Sequence, residues 1–248
     1  MRTAAVVVAR RSFYLAYDHN DEIYESAEWR RKVEDEFHRL VAEEDGKRGH
    51  PEGYKPYPVT VDGSRLLVSL HWVHCDYAGK PGWAHSDAIV AGFREGGDYA
   101  FRTNDDTTFP AQPDWADRFI RDLRDRDMPN VGVVGPSCEG GPQAILTHDF
   151  VHRTHALIFG FHYPRSLPGW SSDDWISYVY EFVGLRSKRT DVTVVHRMHG
   201  QRYRELGQAE RLQALNRELE LGVARLDEFT KAQFGKVQPH NVHQIMCC

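Results

Sequence analysis

The sequence predicts an α/β protein with a Rossmann-type layout: a mostly parallel central sheet, flanking helices and a long C-terminal helix. Two observations carry the architecture. Short runs rich in β-branched and aromatic residues alternate with amphipathic segments of helical period, which is the pattern of a parallel sheet covered on both faces. The chain of 248 residues, 41% hydrophobic and 27% charged, is also long and apolar enough to bury a sizeable core.

Taken in order, "AAVVVARRSFYLAY" reads as one or two strands ending at the polar turn "DHNDE". "SAEWRRKVEDEFHRLVAEE" reads as a helix with Ser26 as N-cap and Trp29, Val33, Phe37 and Val41 at helical spacing. After the Gly/Pro loop "GKRGHPEGYKPYP", "SRLLVSLHWV" reads as a strand and "WAHSDAIVAGFREG" as a helix stopped by Gly96 and Gly97. "DYAFRTND" is the next strand, "QPDWADRFIRDLRDR" a helix with Trp115, Phe119 and Leu123 on one face, and "NVGVVGP" a buried strand closed by Gly-Pro. The segment around His148 and His152 reads as a helix with a polar face. "DWISYVYEF" is a further helix, "DVTVVHRM" the last strand and "QAERLQALNRELELGVARLDEFTKAQF" the long helix. No internal repeat or linker interrupts this order.

The formal net charge of −5, with no Lys/Arg block, argues against strong non-specific nucleic-acid binding. The four cysteines lack CxxC spacing, which fits a reducing compartment rather than a disulfide framework or zinc site. The opening apolar run is too short for a secretory signal, and no apolar span reaches bilayer length. The expectation is a cytoplasmic protein with no membrane partner.

Two acidic clusters carry the functional reading. Asn104-Asp105-Asp106 ends a strand; such residues form turns and N-caps, but two oxygen-bearing side chains at i, i+2 also suit a hard cation such as Mn²⁺ or Mg²⁺. Asp173 and Asp174 lie between Trp170 and Trp175, either capping a helix or serving as a general base whose proton affinity the indoles raise by desolvation. His148 and His152, at i, i+4 about Asp149, imitate a zinc-hydrolase motif. His85 and Asp87 imitate an iron-binding HxD but fall in a helix-patterned stretch. No phosphate loop, nucleophile elbow or dinucleotide fingerprint occurs.

In their order, "NDDT", "VGVVGP", the histidine segment, "GWSSDDW" and "VVHRMHGQRY" resemble a GT-A nucleotide-sugar glycosyltransferase over most of the chain. "ILTHDFVHRTHALIFGFHYPRSLPGWSSDDWISYVY" is similar to the glycosyltransferase domain shared by growth-regulation-by-estrogen-in-breast-cancer proteins and base J DNA glucosyltransferases. The resemblance implies a single glycosyltransferase domain over 1–248, with a nucleotide-binding half (1–107), an acceptor half (108–206) and a C-terminal helix and tail (207–248). It implies transfer of a sugar, glucose as leading choice, from a UDP-sugar to a hydroxyl of a glycan, protein or hydroxylated nucleobase, with inversion. "NDD" departs from the family's DxD by its Asn.

Residue by residue, the resemblance makes Asp106 and His199 the metal ligands, with His196 competing for the second place. Asn104 and Asp105 fall to the donor, Asp174 is the base and Asp173 its neighbour. Tyr17 and Asp18 stand where uracil and ribose are received. Trp83 either faces the donor or belongs to the core. His148, Asp149, His152 and Trp170 mark the acceptor side. An inactive nucleotide-sugar or protein-binding module, and more distantly the zinc hydrolase, are the other readings.

Overall fold

A computed structural model describes residues 5–9, 12–46, 59–61, 64–66, 68–108, 114–197 and 207–236. Its elements in chain order are β1 (Ala5–Ala9), β2 (Ser12–Tyr17), α1 (Ala27–Gly46), β3 (Val59–Val61), β4 (Ser64–Leu66), β5 (Ser69–His74), α2 (Pro81–Arg94) and β6 (Tyr99–Asn104). Then follow β7 (Thr107–Thr108), α3 (Trp115–Arg124), β8 (Val133–Glu139), β9 (Asp149–His152), α4 (Thr154–Phe159), α5 (Ser172–Glu181), β10 (Arg186–His196) and α6 (Gln208–Phe234).

Eight strands form one sheet in the order β5-β2-β1-β6-β9-β8-β10-β7, joining segments on both sides of residue 107. The α/β class and the C-terminal helix stand, but the sheet is mixed rather than mostly parallel. Only β2–β5 and β8–β10 pair in parallel; the five other neighbours are antiparallel. Connection length is the physical reason. β1 turns straight into β2, and no helix separates β8 from β9, so neither pair has the crossover that parallel strands require.

Three other boundaries differ from the sequence reading. "SRLLVSLHWV" splits into β4 and β5, with β3 and β4 making a separate hairpin. β8 runs through Gly135-Pro136 instead of stopping there. A proline is tolerated because β9 pairs with β8 only at Val134–Phe150, so the ladder on that side has already lapsed. The histidine segment is the strand β9 followed by the short α4, not one helix. By contrast, Ser26 does accept a hydrogen bond from the Trp29 amide at the start of α1, at 3.4 Å, and α6 has the predicted bounds.

Alternate residues of the strands feed two cores. Ala100, Val133 and Val151 face a cluster with Ala88 and Ile89 of α2, Phe159 of α4, Trp175 and Val179 of α5, and Leu219 and Leu226 of α6. Phe101, Val134 and Phe150 face Phe119 and Leu123 of α3 on the other side. Close approach of α6 to α5 depends on Gly222, where a Cβ would lie 2.7 Å from Val179 Cγ2.

β2, β5, β6, β8 and β10 all run the same way, so their C-terminal ends share one edge of the sheet. Residues 104–108 leave β6 at that edge and pair with β10, Thr107 opposite His196 and Thr108 opposite Val195. The consecutive polar residues of "NDD" are thus the belt that ties the end of β6 to the end of β10.

Candidate functional site at the strand ends

The belt brings Asp106 to His196. Oδ1 of Asp106 lies 3.0 Å from His196 Nε2, and the same nitrogen is 3.4 Å from Asn104 Nδ2. Backbone pairing fixes the arrangement, since the Arg197 amide donates to the Asp106 carbonyl at 2.9 Å. Asp105 is exposed at the turn. His148, just before β9, meets Thr107 Oγ1 through Nε2 at 2.7 Å and sets its ring edge-on to His196 at 5.7 Å. His199 lies outside the described residues, so His196 is the imidazole that the structure sets against Asp106.

Beneath the belt is a buried polar cluster that the sequence reading did not find. Arg102 of β6 and Asp149 of β9 are register partners, and their side chains meet at 3.1 Å with the carboxylate wholly enclosed. Arg102 Nε also donates to Tyr163 Oη at 2.8 Å, Tyr163 donates to Asp149 at 2.5 Å, and His162 Nε2 stands 2.9 Å from Asp149 Oδ1. His155 bridges Tyr180 and the His162 carbonyl, each at 2.9 Å. Burial alone would raise the Asp149 pKa, but the positive field of His162 and Arg102 and the bonds it accepts hold it below the ordinary carboxylate range. His85, whose Nε2 has no hydrogen-bond partner, and His155 are pushed down to about 3 by burial, and burial likewise holds His148 well below its ordinary value. Asp149→Asn is expected to destabilise the protein by about 3 kcal/mol, because Arg102 would remain buried without its charge partner. Urea unfolding at pH 7 checks this, and a change under about 1 kcal/mol would contradict it.

Arg102 connects the belt with the second acidic cluster. Its Nη1 donates to Asn104 Oδ1 at 3.3 Å, and its charge acts on Asp173. Asp173 and Asp174 open α5 after Ser171, a non-glycine residue at φ +70° that turns the chain sharply into the helix. A tight approach makes room for that turn: at Gly82, in the first turn of α2, a Cβ would lie 2.5 Å from Ser172 Oγ. Asp173 Oδ1 accepts from the Asp174 amide at 3.1 Å. Both carboxyls titrate above the ordinary value because they are desolvated; Arg102 opposes the rise at Asp173, while the Asp173 charge adds to it at Asp174. Asp174 also feels Arg211 of α6, which sits 6.0 Å over the ring of Trp170, and that tryptophan is 51% exposed.

Asn104, Asp106, His148 and Asp149 are therefore brought together around Arg102 and Thr107, while Asp173 is reached by the Arg102 charge and Asp174 adjoins Asp173. His148 and Asp149 are enclosed, so neither has surface to offer an acceptor. His152, at the other end of β9, caps the turn into α4 through Thr154 Oγ1 at 2.6 Å. Four residues of strand separate His148 and His152 by about 13 Å, which rules out the shared zinc of the hydrolase reading. Trp83 donates to the Arg165 carbonyl at 2.8 Å and lies under Lys80 at 3.8 Å. Tyr17 is buried among Tyr24, Trp72 and His74, without the open face that stacking would need. Asp18 accepts from the Gly79 amide at 2.8 Å, fastening the loop after β5. Arg102 was detectable in principle as a lone charge inside an apolar strand; Tyr163, His162 and His85 join it only through tertiary folding.

No family model, curated protein or solved structure matches this chain. Among the described residues, no helix is long and apolar enough to cross a membrane.

Proposed function

We propose that the protein is a metal-dependent glycosyltransferase that moves a hexose, glucose by resemblance, from a UDP-sugar to an acceptor hydroxyl with inversion. One observation carries this reading: Asp106 and His196 meet at the strand-end edge of the sheet and are joined through Asn104 to Arg102, whose charge acts on Asp173, the neighbour of Asp174, both carboxyls having raised proton affinity. The 3.0 Å between Asp106 Oδ1 and His196 Nε2 suits adjacent ligands of an octahedral ion, about 3 Å apart for bonds near 2.1 Å. Mn²⁺ or Mg²⁺ there would neutralise charge on a departing diphosphate.

The chain's own groups supply the rest. Arg102 orients the Asn104 amide and, with Asp149, keeps the belt's base rigid. Asp174, half-buried beside the exposed Trp170, takes the proton of the acceptor hydroxyl as its oxygen attacks the anomeric carbon. Trp170 offers one face to a sugar, a side chain or a base. The resemblance assigns the same chemistry, and a cytoplasmic or nuclear setting would give it its donor.

Calorimetry and thermal shift with UDP, GDP, CMP and UDP-sugars, with and without Mn²⁺, test the reading. Expected is stabilisation by UDP species that depends on Mn²⁺ in the parent protein and disappears in Asp106→Ala. Indifference to every nucleotide would overturn it. UDP binding with no transfer and no slow donor hydrolysis would leave a nucleotide-sugar-binding module instead.

A further inference from the structure

At the same edge of the sheet, but at its β2–β5 margin, His19, Glu25 and His74 bring three ligand atoms within 4.8 Å of one another. Glu25 Oε1 is 2.9 Å from His74 Nε2 and 3.9 Å from His19 Nδ1. We propose that these three side chains form a zinc-binding site, separate from the Asp106–His196 pair, that clips the loop after β2 to the end of β5.

The donor set and its spacing carry the argument. Tetrahedral zinc with bonds of about 2.0–2.1 Å needs donors roughly 3.3 Å apart, so small side-chain rotations close the shell. Two imidazoles and one carboxylate favour zinc over magnesium or calcium, which prefer oxygen ligands alone. All three residues are exposed, which leaves a fourth position to water.

The site is also held in place before any ion arrives. The His19 amide donates to the Tyr77 carbonyl at 2.9 Å, and the Cys75 amide donates to the Tyr17 carbonyl at 3.0 Å, fixing the backbone on both sides. Glu25 Oε1 accepts from the Asn20 amide at 3.2 Å, in a turn that Asn20 makes at φ +61°. His74 packs edge-on against Tyr17 at 5.3 Å. Its second nitrogen lies 3.6 Å from Asp76 Oδ1, the outer carboxylate that commonly orients a zinc-bound imidazole.

The full chain, stripped with a chelator, is titrated with zinc chloride by calorimetry, and its thermal midpoint is followed in parallel. The parent protein and Asp106→Ala should each bind one equivalent at this site and rise in midpoint. His74→Ala should weaken that binding by at least about 100-fold and Asp76→Asn by about tenfold. Glu25→Gln, which preserves shape and hydrogen bonding, should weaken it as strongly as His74→Ala and serves if the latter folds poorly. Absence of zinc binding by the parent would overturn the proposal. So would affinity unchanged in both His74→Ala and Glu25→Gln, or lost only in Asp106→Ala. Because UDP binding is read in the panel above, either idea can fail without the other.

Discussion

Acidification from pH 7 is expected to unfold the protein with a midpoint near pH 4–5, at the upper end of the range in which carboxylates alone would be responsible. His85 and His155, with folded values of about 3, and His148, also well below its ordinary value, are neutral in the folded state and free to take protons once unfolded. A depressed folded pKa gives stability that is full above the unfolded value near 6.5 and is lost as pH falls toward the folded one. Three such groups steepen the loss to about 4 kcal/mol per pH unit, against a total stability on the order of 5–15 kcal/mol. Asp173 and Asp174 act oppositely, because their raised folded values let the native state bind protons first; they soften the loss near the bottom of the range without reversing it. Tryptophan fluorescence and circular dichroism followed from pH 7 to pH 3 check the midpoint. Full native signal at pH 3.5 would show that these imidazoles are not buried as neutral groups.

Asp174→Asn is expected to lower kcat by about 10²–10⁴-fold while leaving Mn²⁺-dependent UDP affinity within about twofold of the parent. The amide preserves shape but cannot accept the acceptor's proton. Desolvation lifts the Asp174 carboxyl toward a more useful proton affinity, and repulsion from Asp173 lifts it further. Loss should appear in single-turnover transfer measured beside UDP calorimetry on the same sample. Undiminished transfer would remove Asp174 as the base. Asp173 is the less suited of the pair, since one of its oxygens caps the Asp174 amide and the charge of Arg102 opposes its rise in proton affinity.

Only part of this arrangement could be read from residues in a row. The acidic clusters announced themselves because carboxylates stood together beside strand and helix ends, and the helices α1, α2, α3, α5 and α6 were legible from apolar spacing. The histidines misled. Their i, i+4 spacing fits a helix, yet Phe150 and Val151 between them alternate into two different cores and hold the segment as a strand. The choice of His196 against Asp106 was undetermined for the same reason, since it depends on which residue of β10 faces Thr107 across the ladder.

By itself, then, the sequence determined what local periodicity and composition control: the alternation of strands and helices, the long terminal helix and the identity of the two acidic clusters. Strand direction, the burial of Asp149 and His148 and the meeting of Asp106 with His196 were decided by the tertiary structure. Each of these rests on contacts between residues far apart in the chain, such as Arg102 with Asp149 and Tyr163 or Thr107 with His148. Such contacts follow from how the strands order themselves, which no local run of residues encodes.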